Sequence, residues 1–584
     1  MKDPQTASCR PCPWGSPWAC LALCTVTLLA ALCQQPAVAQ FSFLETSAPA
    51  GIEPYTMILG KGGGVAAADF DDDGYVDFFV PNSVGVPDQL YRNTGSGTFE
   101  EIAADVGLNY VGASRVALWF DYDADRHLDL VVANDCRERL DPCEPTIRLY
   151  RQVSPTEFQD VTPASGLLEG IYFRTNTHLG GLSAGDINND GYLDLLMGEW
   201  IGRTQVWLNR GDGTLNNISD HSGLNIEQVQ HYQHVLHDFD RDGWQDIYTA
   251  FDSGPNFHWI NQHDNSFINV ALEVGTTQGW NGMGITLGDY DNDGLFDIYR
   301  ANITHNRLYR NISSDGTLLY DEVGTDAGVR FAEFAWGTTF LDADNDGLLD
   351  LAVTNGWENK PWQDDRSFLY RNTGGDPVTF EDVSATVGFN DDLWGSSLVA
   401  FDYDRDGALD LVQTTLPVLA NPSRLRLLRN QLGPEAALNN YIVVKPRQQG
   451  PNYHAIGAVI RAQIGETTLS RLITAGTSFL GQEPAEAHFG LGTAQQVDAL
   501  TIEWPNGFLT RLTDVSVNQV LTVHSPHFDS DNDGVSDTNE VAFGTDPLNA
   551  SSTPALPAQH PWALALSLLL LVTALHARRE TPKR

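Results

Sequence analysis

One nonapeptide, D-x-D-x-D-G-x-x-D, recurs seven times along this chain, with first aspartates at 69, 121, 186, 238, 289, 342 and 402. The intervals are 52, 65, 52, 51, 53 and 60 residues, and self-similarity at such a period marks a fold assembled from stacked, similar units. A short run of small and apolar residues precedes each copy, as in Gly64 to Ala68, and a strand-like run follows, as in Leu130 to Ala133 or Leu351 to Thr354. Each copy therefore reads as the loop of a hairpin. Farther on, most repeats carry L-Y-R-N (Leu90 to Asn93, Leu308 to Asn311, Leu369 to Asn372) and a glycine turn. An F-x-D-V element then runs to a Gly-Leu-like pair (Phe99 to Leu108, Phe158 to Leu167, Phe380 to Phe389). Four strands in a unit of about 50 residues is the pattern of a propeller blade. The expected fold is all-β: a seven-bladed β-propeller followed by a small β-rich domain. The seventh unit ends at Leu427 to Asn430 without its F-x-D-V element, while Phe43 to Ile52, ahead of the first unit, matches it. The N-terminal strand is thus expected to complete the last blade and remove an open sheet edge.

The loops concentrate carboxylates. Positions 1, 3, 5 and 9 are Asp69, Asp71, Asp73 and Asp77 in the first loop, Asp121, Asp123, Asp125 and Asp129 in the second, and Asp186, Asn188, Asp190 and Asp194 in the third. The fourth has Asp238, Asp240, Asp242 and Asp246, and the fifth Asp289, Asp291, Asp293 and Asp297. The sixth has Asp342, Asp344, Asp346 and Asp350, and the seventh Asp402, Asp404, Asp406 and Asp410. Like charges this close repel by about 1 to 3 kcal/mol per pair at dielectrics between water and a protein surface, and a bound dication relieves that. Oxygen-only ligands with glycine at position 6 suit Ca²⁺, whereas Zn²⁺ takes His or Cys. Two loops depart from the pattern. Arg126 replaces the glycine in the second, so a left-handed backbone there costs about 1 kcal/mol and puts a positive charge beside the ion; that site is expected to be the weakest. Asn188 removes one charge from the third but keeps a carbonyl oxygen.

These repeats resemble the FG-GAP/VCBS family, whose blades, as in integrin α-subunit heads, carry Ca²⁺ in such hairpin loops; the resemblance covers residues 40–431. From Asn440 the repeat gives way to alternating strands at Tyr441 to Lys445, Ala458 to Ile464, Leu469 to Ile473, Ala499 to Trp504 and Val520 to His524. Here Ile456 to Ala462, His488 to Gly492 and Ile502 to Gly507 look like the ASPIC/UnbV domain that follows a propeller in the cartilage acidic protein family, which implies extracellular interaction and no particular chemistry. This domain is placed at 432–525. Next, Asp529, Asp531, Asp533, Asp537 and Glu540 hold positions 1, 3, 5, 9 and 12, an EF-hand-type spacing. With Gly544 to Pro547 after them, residues 526–550 look like a bacterial thrombospondin type 3 repeat that binds Ca²⁺.

The chain has 584 residues, 34 basic against 76 acidic, for a formal charge of −42. Such a charge repels phosphate backbones and anionic headgroups, which excludes nucleic acid and direct lipid binding as primary functions. Without the 32 acids of the cation loops the charge is about −10, an ordinary surface value. Residues 1–39 read as a signal peptide: basic Lys2 and Arg10, an apolar run to Leu32, and Ala37-Val38-Ala39 before Gln40. Five of seven cysteines leave with it, and Cys136 and Cys143 are expected to form a local disulfide in an oxidising compartment. Residues 551–584 combine a polar spacer, an apolar run from Trp562 to Ala577 and a basic end, resembling a cell-surface sorting tail. Membrane contact is expected through that tail alone.

Chemistry is not evident. No G-x-S-x-G, P-loop or H-E-x-x-H occurs, so no catalytic residue is assigned. His231, His234 and His237 lie in the strand feeding the fourth loop, where a period of two places His234 opposite the other pair, and they read as structural. Trp200, Trp280, Trp357, Trp362 and Trp394 fall near strand ends and read as packing residues, with a sugar platform as the alternative. The expectation is a secreted or surface calcium-binding propeller that meets an extracellular protein or glycan; the alternatives are a surface lectin and an extracellular hydrolase.

Overall fold

The computed structural model describes residues 40–552, apart from 53, 56, 58–61, 83–84, 136–145, 172–177, 201, 225–229, 358–359, 418–421, 532, 534 and 544. The leader, most of the tail and both remaining cysteines lie outside the described residues. Among the described residues no helix is long and apolar enough to cross a membrane.

Seven antiparallel four-stranded units follow one another, and in each the strand before the aspartate loop is innermost. Most of these inner strands are rich in small and apolar residues because they are buried on both faces, Val65 to Ala68 and Ser114 to Phe120 throughout, whereas the fourth, His231–His237, buries polar side chains as well. Each inner strand touches the next, and the seventh touches the first, so the units close a ring. Closure uses the N-terminal segment as expected: Phe41–Glu45 pairs antiparallel with the third strand of the last unit, with Phe43 opposite Asn430. Phe41 and Phe43 are buried there. The turn that follows places Gly51 at φ 83°, where an added Cβ would lie 2.7 Å from the carbonyl oxygen of Phe99 in the first unit. Gly388 of the sixth unit stands in the same way 2.9 Å from the carbonyl oxygen of Phe43. Deleting Phe41 to Ile52 is therefore expected to remove two buried aromatics and open an edge. Light scattering and thermal melting should show a less stable, self-associating protein; an unaltered monomer with unaltered melting would mean the ring closes differently.

The asparagine of L-Y-R-N explains why the units hold their spacing. Its backbone N–H donates to the position-9 aspartate of its own unit, as Asn93 does to Asp77 at 2.7 Å. Its side chain reaches the preceding unit, as from Asn209 to the Tyr122 carbonyl at 2.7 Å and from Asn430 to Ala343 at 2.8 Å. Asn93 spans the closure to Tyr403 at 2.8 Å.

The second domain is two small sheets, one of Tyr441–Arg447, Ala487–Gly490 and Gln519–His524, the other of Val459–Ile464, Thr467–Leu472, Gln496–Glu503 and Leu509–Ser516. It sits on the face of the ring that carries the aspartate loops and shares one hydrophobic core with it, Phe479, Leu480, Phe489 and Trp504 packing with Trp336, Phe340 and Tyr232. The segment from Ala475 to Glu483, which the sequence left unassigned, enters the central channel and bonds to all seven units. Gly481 and Gln482 add a short parallel strand to Val65 and Ala66 of the first. Gln482 both accepts from and donates to the Trp119 backbone in the second, at 2.7 and 2.9 Å. Ala184 of the third donates to Ala475 at 3.0 Å, and Leu480 donates to the Gln233 side chain of the fourth at 3.2 Å. Ser478 exchanges backbone bonds with Ile285 of the fifth and accepts from Thr338 of the sixth. Glu483 accepts from Ala400 of the seventh at 3.3 Å.

Candidate metal centres

Each aspartate loop is shaped by its own carboxylates. The position-1 aspartate accepts the position-6 N–H, as Asp186 does from Gly191 at 2.8 Å, and the position-5 aspartate accepts the position-7 N–H, as Asp242 does from Trp244 at 2.9 Å. The position-9 aspartate accepts the position-2 N–H, as Asp246 does from Phe239 at 3.0 Å. This wrapping requires a left-handed backbone at two positions. Position 6 is glycine in six loops, with φ between 87° and 96°, and Arg126 takes φ 76° in the second. Position 4 is left-handed as well, at φ 55° to 63°, although its residues are Asp72, Ala124, Asn189, Arg241, Asn292, Asn345 and Arg405. Only the position-6 requirement was visible in the motif.

The loops bring their carboxylates together. Asp69, Asp71 and Asp77 each offer an oxygen within 4.8 Å of the others, as do the equivalent aspartates of the second, fourth and fifth loops and Asp342, Asp344 and Asp346 of the sixth. Several of these oxygens are buried without any partner: Oδ1 of Asp69 and Asp289 at position 1, and Oδ1 of Asp71, Asp123, Asp344 and Asp404 at position 3. Asp289 and Asp344 are at most 1% exposed. A buried acceptor with no donor costs about 1 to 3 kcal/mol, more when charged, unless a cation meets it. In the second, fifth, sixth and seventh loops the opposite oxygen at position 3 is held outward by the arginine of L-Y-R-N or its equivalent, whereas Arg92 of the first unit pairs with Glu100 instead. Arg371 spans Asp344 and Asp346 at 2.8 and 2.9 Å, and Arg429 spans Asp404 and Asp406 at 2.8 and 2.9 Å. Arg151 and Arg310 do the same in the second and fifth loops. The motif was legible, but not that its arginine reaches back to the loop. In the third and fourth units that place is Leu208 and Ile260, and their loops border an open cleft of about 990 Å³ beside Trp504 to Gly507. The clustered oxygens, all carboxylate and without His or Cys, fit a hard divalent ion.

Burial keeps these acids from ionising freely. It pushes Asp246 and Asp342 up to about 8, and Asp121, Asp289 and Asp402 to about 7, with the neighbouring carboxylates adding to the rise. The position-9 acids Asp77, Asp129, Asp194, Asp297, Asp350 and Asp410 are raised furthest, again chiefly by burial.

The thrombospondin-like loop is built alike. Asp537 accepts from Ser530 at 2.7 Å, Asp533 accepts from Val535 at 2.8 Å, and Asp531 Oδ2 and both Glu540 oxygens are buried and unpartnered.

Two expectations change. Arg126 does not lay its charge beside the second loop's ligands: its guanidinium lies 5.5 Å from each of the Tyr453 and Phe528 rings and 3.4 Å from the Asp529 carbonyl oxygen. The arginine is spent on holding the second domain, and only its backbone pays for the left-handed turn. Arg126→Gly and Arg126→Ala lose the same ring contacts, so denaturant unfolding is expected to find the alanine variant about 1 kcal/mol less stable, the strain alone; equal stabilities would contradict it. The histidine faces also differ. A β-bulge between His231 and His234 sets them opposite Phe251 and Thr249, on one face, and leaves His237 on the other. All three are structural: His231 bonds Thr204 at 2.9 Å, His234 bonds Thr249 at 3.0 Å, and His237 packs edge-on to Phe239 and Phe296. Among the tryptophans, Trp394 is buried, Trp357 and Trp362 pack on Phe334, and Trp280 is 68% exposed.

Comparison with known proteins finds the same repeats and domains. The FG-GAP-like repeat model matches residues 69–132, 121–197, 238–300 and 342–412, which include all seven loops. The ASPIC and UnbV model matches 448–529 and the bacterial TSP3 repeat model 529–550. Cartilage acidic protein 1 of Xenopus tropicalis is 27% identical over 290 residues, 49% of this chain and 43% of the relative. That of Mus musculus is 27% identical over 305 residues, 51% of this chain and 45% of the relative. The chain thus spans less than half the length of these relatives. A solved Agrocybe aegerita lectin aligns with a TM-score of 0.36 at 14% identity, covering 62% of this chain and 93% of that one. The protein is a β-propeller whose repeats match the FG-GAP-like model and whose capping domain matches the ASPIC and UnbV model, and it is similar over about half its length to the cartilage acidic proteins.

Proposed function

We propose that this chain is an exported, calcium-loaded propeller that serves as an interaction module for an extracellular protein or glycan. The buried, unpartnered carboxylate oxygens turned into the loops carry the calcium reading, and the match to FG-GAP-like repeats supports it. When bound, Ca²⁺ supplies charge neutralisation and rigidity; the chain's own part is to converge aspartate oxygens and hold their outer edges with arginine. The second domain covers the loop face, with Lys445 on Asp69 at 2.5 Å and Arg461 on the Gly294 carbonyl at 3.2 Å. The ions therefore stabilise the ring and its cap, and a partner is assigned to the opposite face because exposed aromatics stand there, Trp280 at 68% and Phe331 at 64%. The leader-like residues 1–39 and the Cys136 and Cys143 pair fit an oxidising, extracellular setting. Screening the mature chain against glycan arrays, extracellular-matrix proteins and a hydrolase panel in calcium tests this reading. Binding lost with Trp280→Ala and Phe331→Ala supports it; turnover of a glycan or ester without such binding replaces it with the hydrolase.

A further inference from the structure

Around the ring, the side chain at position 4 of one loop bonds the position-6 carbonyl of the next. Asn189 of the third loop donates to Gly243 of the fourth at 2.9 Å, and Arg241 of the fourth to Gly294 of the fifth at 3.4 Å. Asn292 of the fifth donates to Gly347 of the sixth at 3.3 Å, and Asn345 of the sixth to Gly407 of the seventh at 2.9 Å. Arg405 of the seventh crosses the closure to Gly74 of the first at 2.8 and 3.0 Å. The relay stops there, because Asp72 and Ala124 at position 4 of the first and second loops have no side-chain N–H to give.

We propose that these position-4 donors couple cation binding between neighbouring loops, so that the third, fourth, fifth, sixth, seventh and first loops load as a linked array while the second loads alone. The inference rests on the calcium reading above and adds to it. The bonded carbonyl belongs to the peptide whose other end, the position-7 N–H, holds the position-5 carboxylate: Trp244 on Asp242, Leu295 on Asp293, Leu348 on Asp346, Ala408 on Asp406 and Tyr75 on Asp73, all at 2.9 to 3.0 Å. Fixing the carbonyl outward fixes the N–H inward, and with it a ligand of the next loop. Position 4 itself lies between ligand positions 3 and 5 of its own loop, in a left-handed conformation. An ion that orders those two ligands thus orders the donor that sets its neighbour. Coupling of this kind is reciprocal, so a filled fourth loop also favours the third. Asn189 and its counterparts are positioning residues, since none is required to touch the ion.

Trp244 is the only tryptophan at position 7 of the seven loops, which makes the fourth loop separately readable. Terbium luminescence excited through tryptophan is titrated on the full mature chain, and the signal lost in a Trp244→Phe counterpart is assigned to that loop. Asn189→Gly removes the donor while leaving the left-handed backbone unstrained. The expected result is a rise of about two- to tenfold in the terbium concentration at half-saturation of the Trp244 signal, the effect of one lost hydrogen bond. Asn189→Arg, the residue used at this position by the fourth and seventh loops, restores it. A bond with only a structural role lowers the melting temperature in EGTA and leaves the half-saturation in place, and that result overturns the coupling. A wild-type chain with no Trp244-dependent signal and no response to EGTA overturns the calcium reading, and the coupling with it.

Discussion

Chelation with EGTA is expected to lower the melting temperature by roughly 10 °C. At 1 mM Ca²⁺ and a dissociation constant of about 10⁻⁴ M, each site stabilises the folded state by about 1.4 kcal/mol, or about 10 kcal/mol over the seven loops. A chain of this size has an unfolding entropy near 1 kcal/mol per degree, which converts one figure into the other. The pH dependence of the EGTA-treated protein gives a sharper check. A carboxyl whose folded pKa is raised contributes stability that is complete below its unfolded value and lost as pH climbs through the folded one. Asp246 and Asp342, pushed up to about 8, and Asp121, Asp289 and Asp402, at about 7, make that loss run from about pH 4, where the unfolded carboxyls titrate, to its end at pH 7 to 8. His234 and His258, driven down to about 3 by burial, act in the opposite sense, but only below about pH 6.5 where the unfolded imidazoles titrate. Asp88 and Glu483, raised to about 7 by burial away from the loops, add a slope that calcium does not remove. Calorimetry from pH 6.5 to 8.5 should therefore show melting temperatures falling with pH in EGTA, and a much flatter profile in saturating calcium. Parallel profiles with and without calcium would show that these carboxylates do not hold the ion.

The second large effect concerns the channel. Phe479 is fully buried against Tyr232 and Trp336, with ring centroids at 5.2 and 4.9 Å. Phe479→Ala is expected to cost about 3 to 5 kcal/mol, a loss that denaturant unfolding can measure. Ending the chain at Leu432 removes more, because every inner strand loses a bonding partner and the shared core is cut open. That shortened chain is expected to aggregate, or to remain a loosened, dye-binding monomer. A soluble 40–432 protein that melts as sharply and as high as the full chain would show that the propeller does not need its cap.

Much of the ring was legible because it repeats. A carboxylate pattern copied seven times in register, and a missing element found intact at Phe43 to Ile52, are local signals that need no knowledge of distant contacts. The strands of the second domain at Tyr441, Ala458, Leu469, Ala499 and Val520 were legible by alternation, whereas Leu509–Ser516 was not, since its solvent-facing pattern of Thr, Arg and Asp buries little. Period-two reasoning misplaced His234 because a bulge, repeated in most of the inner strands, inserts a residue and reverses the faces beyond it.

The sequence by itself determined the unit, the ring closure and the clustering of carboxylates in the loops, because each rests on residues within one repeat or on a match between repeats. Only the tertiary structure decided what Ala-Gly-Thr-Ser-Phe-Leu-Gly-Gln does at 475–482, where Arg126 points, and which donor reaches which neighbouring loop. Those contacts join segments far apart in the chain, and they are selected by the geometry of a closed ring, whose inward-facing backbone groups and adjacent loops exist only once all seven units are in place.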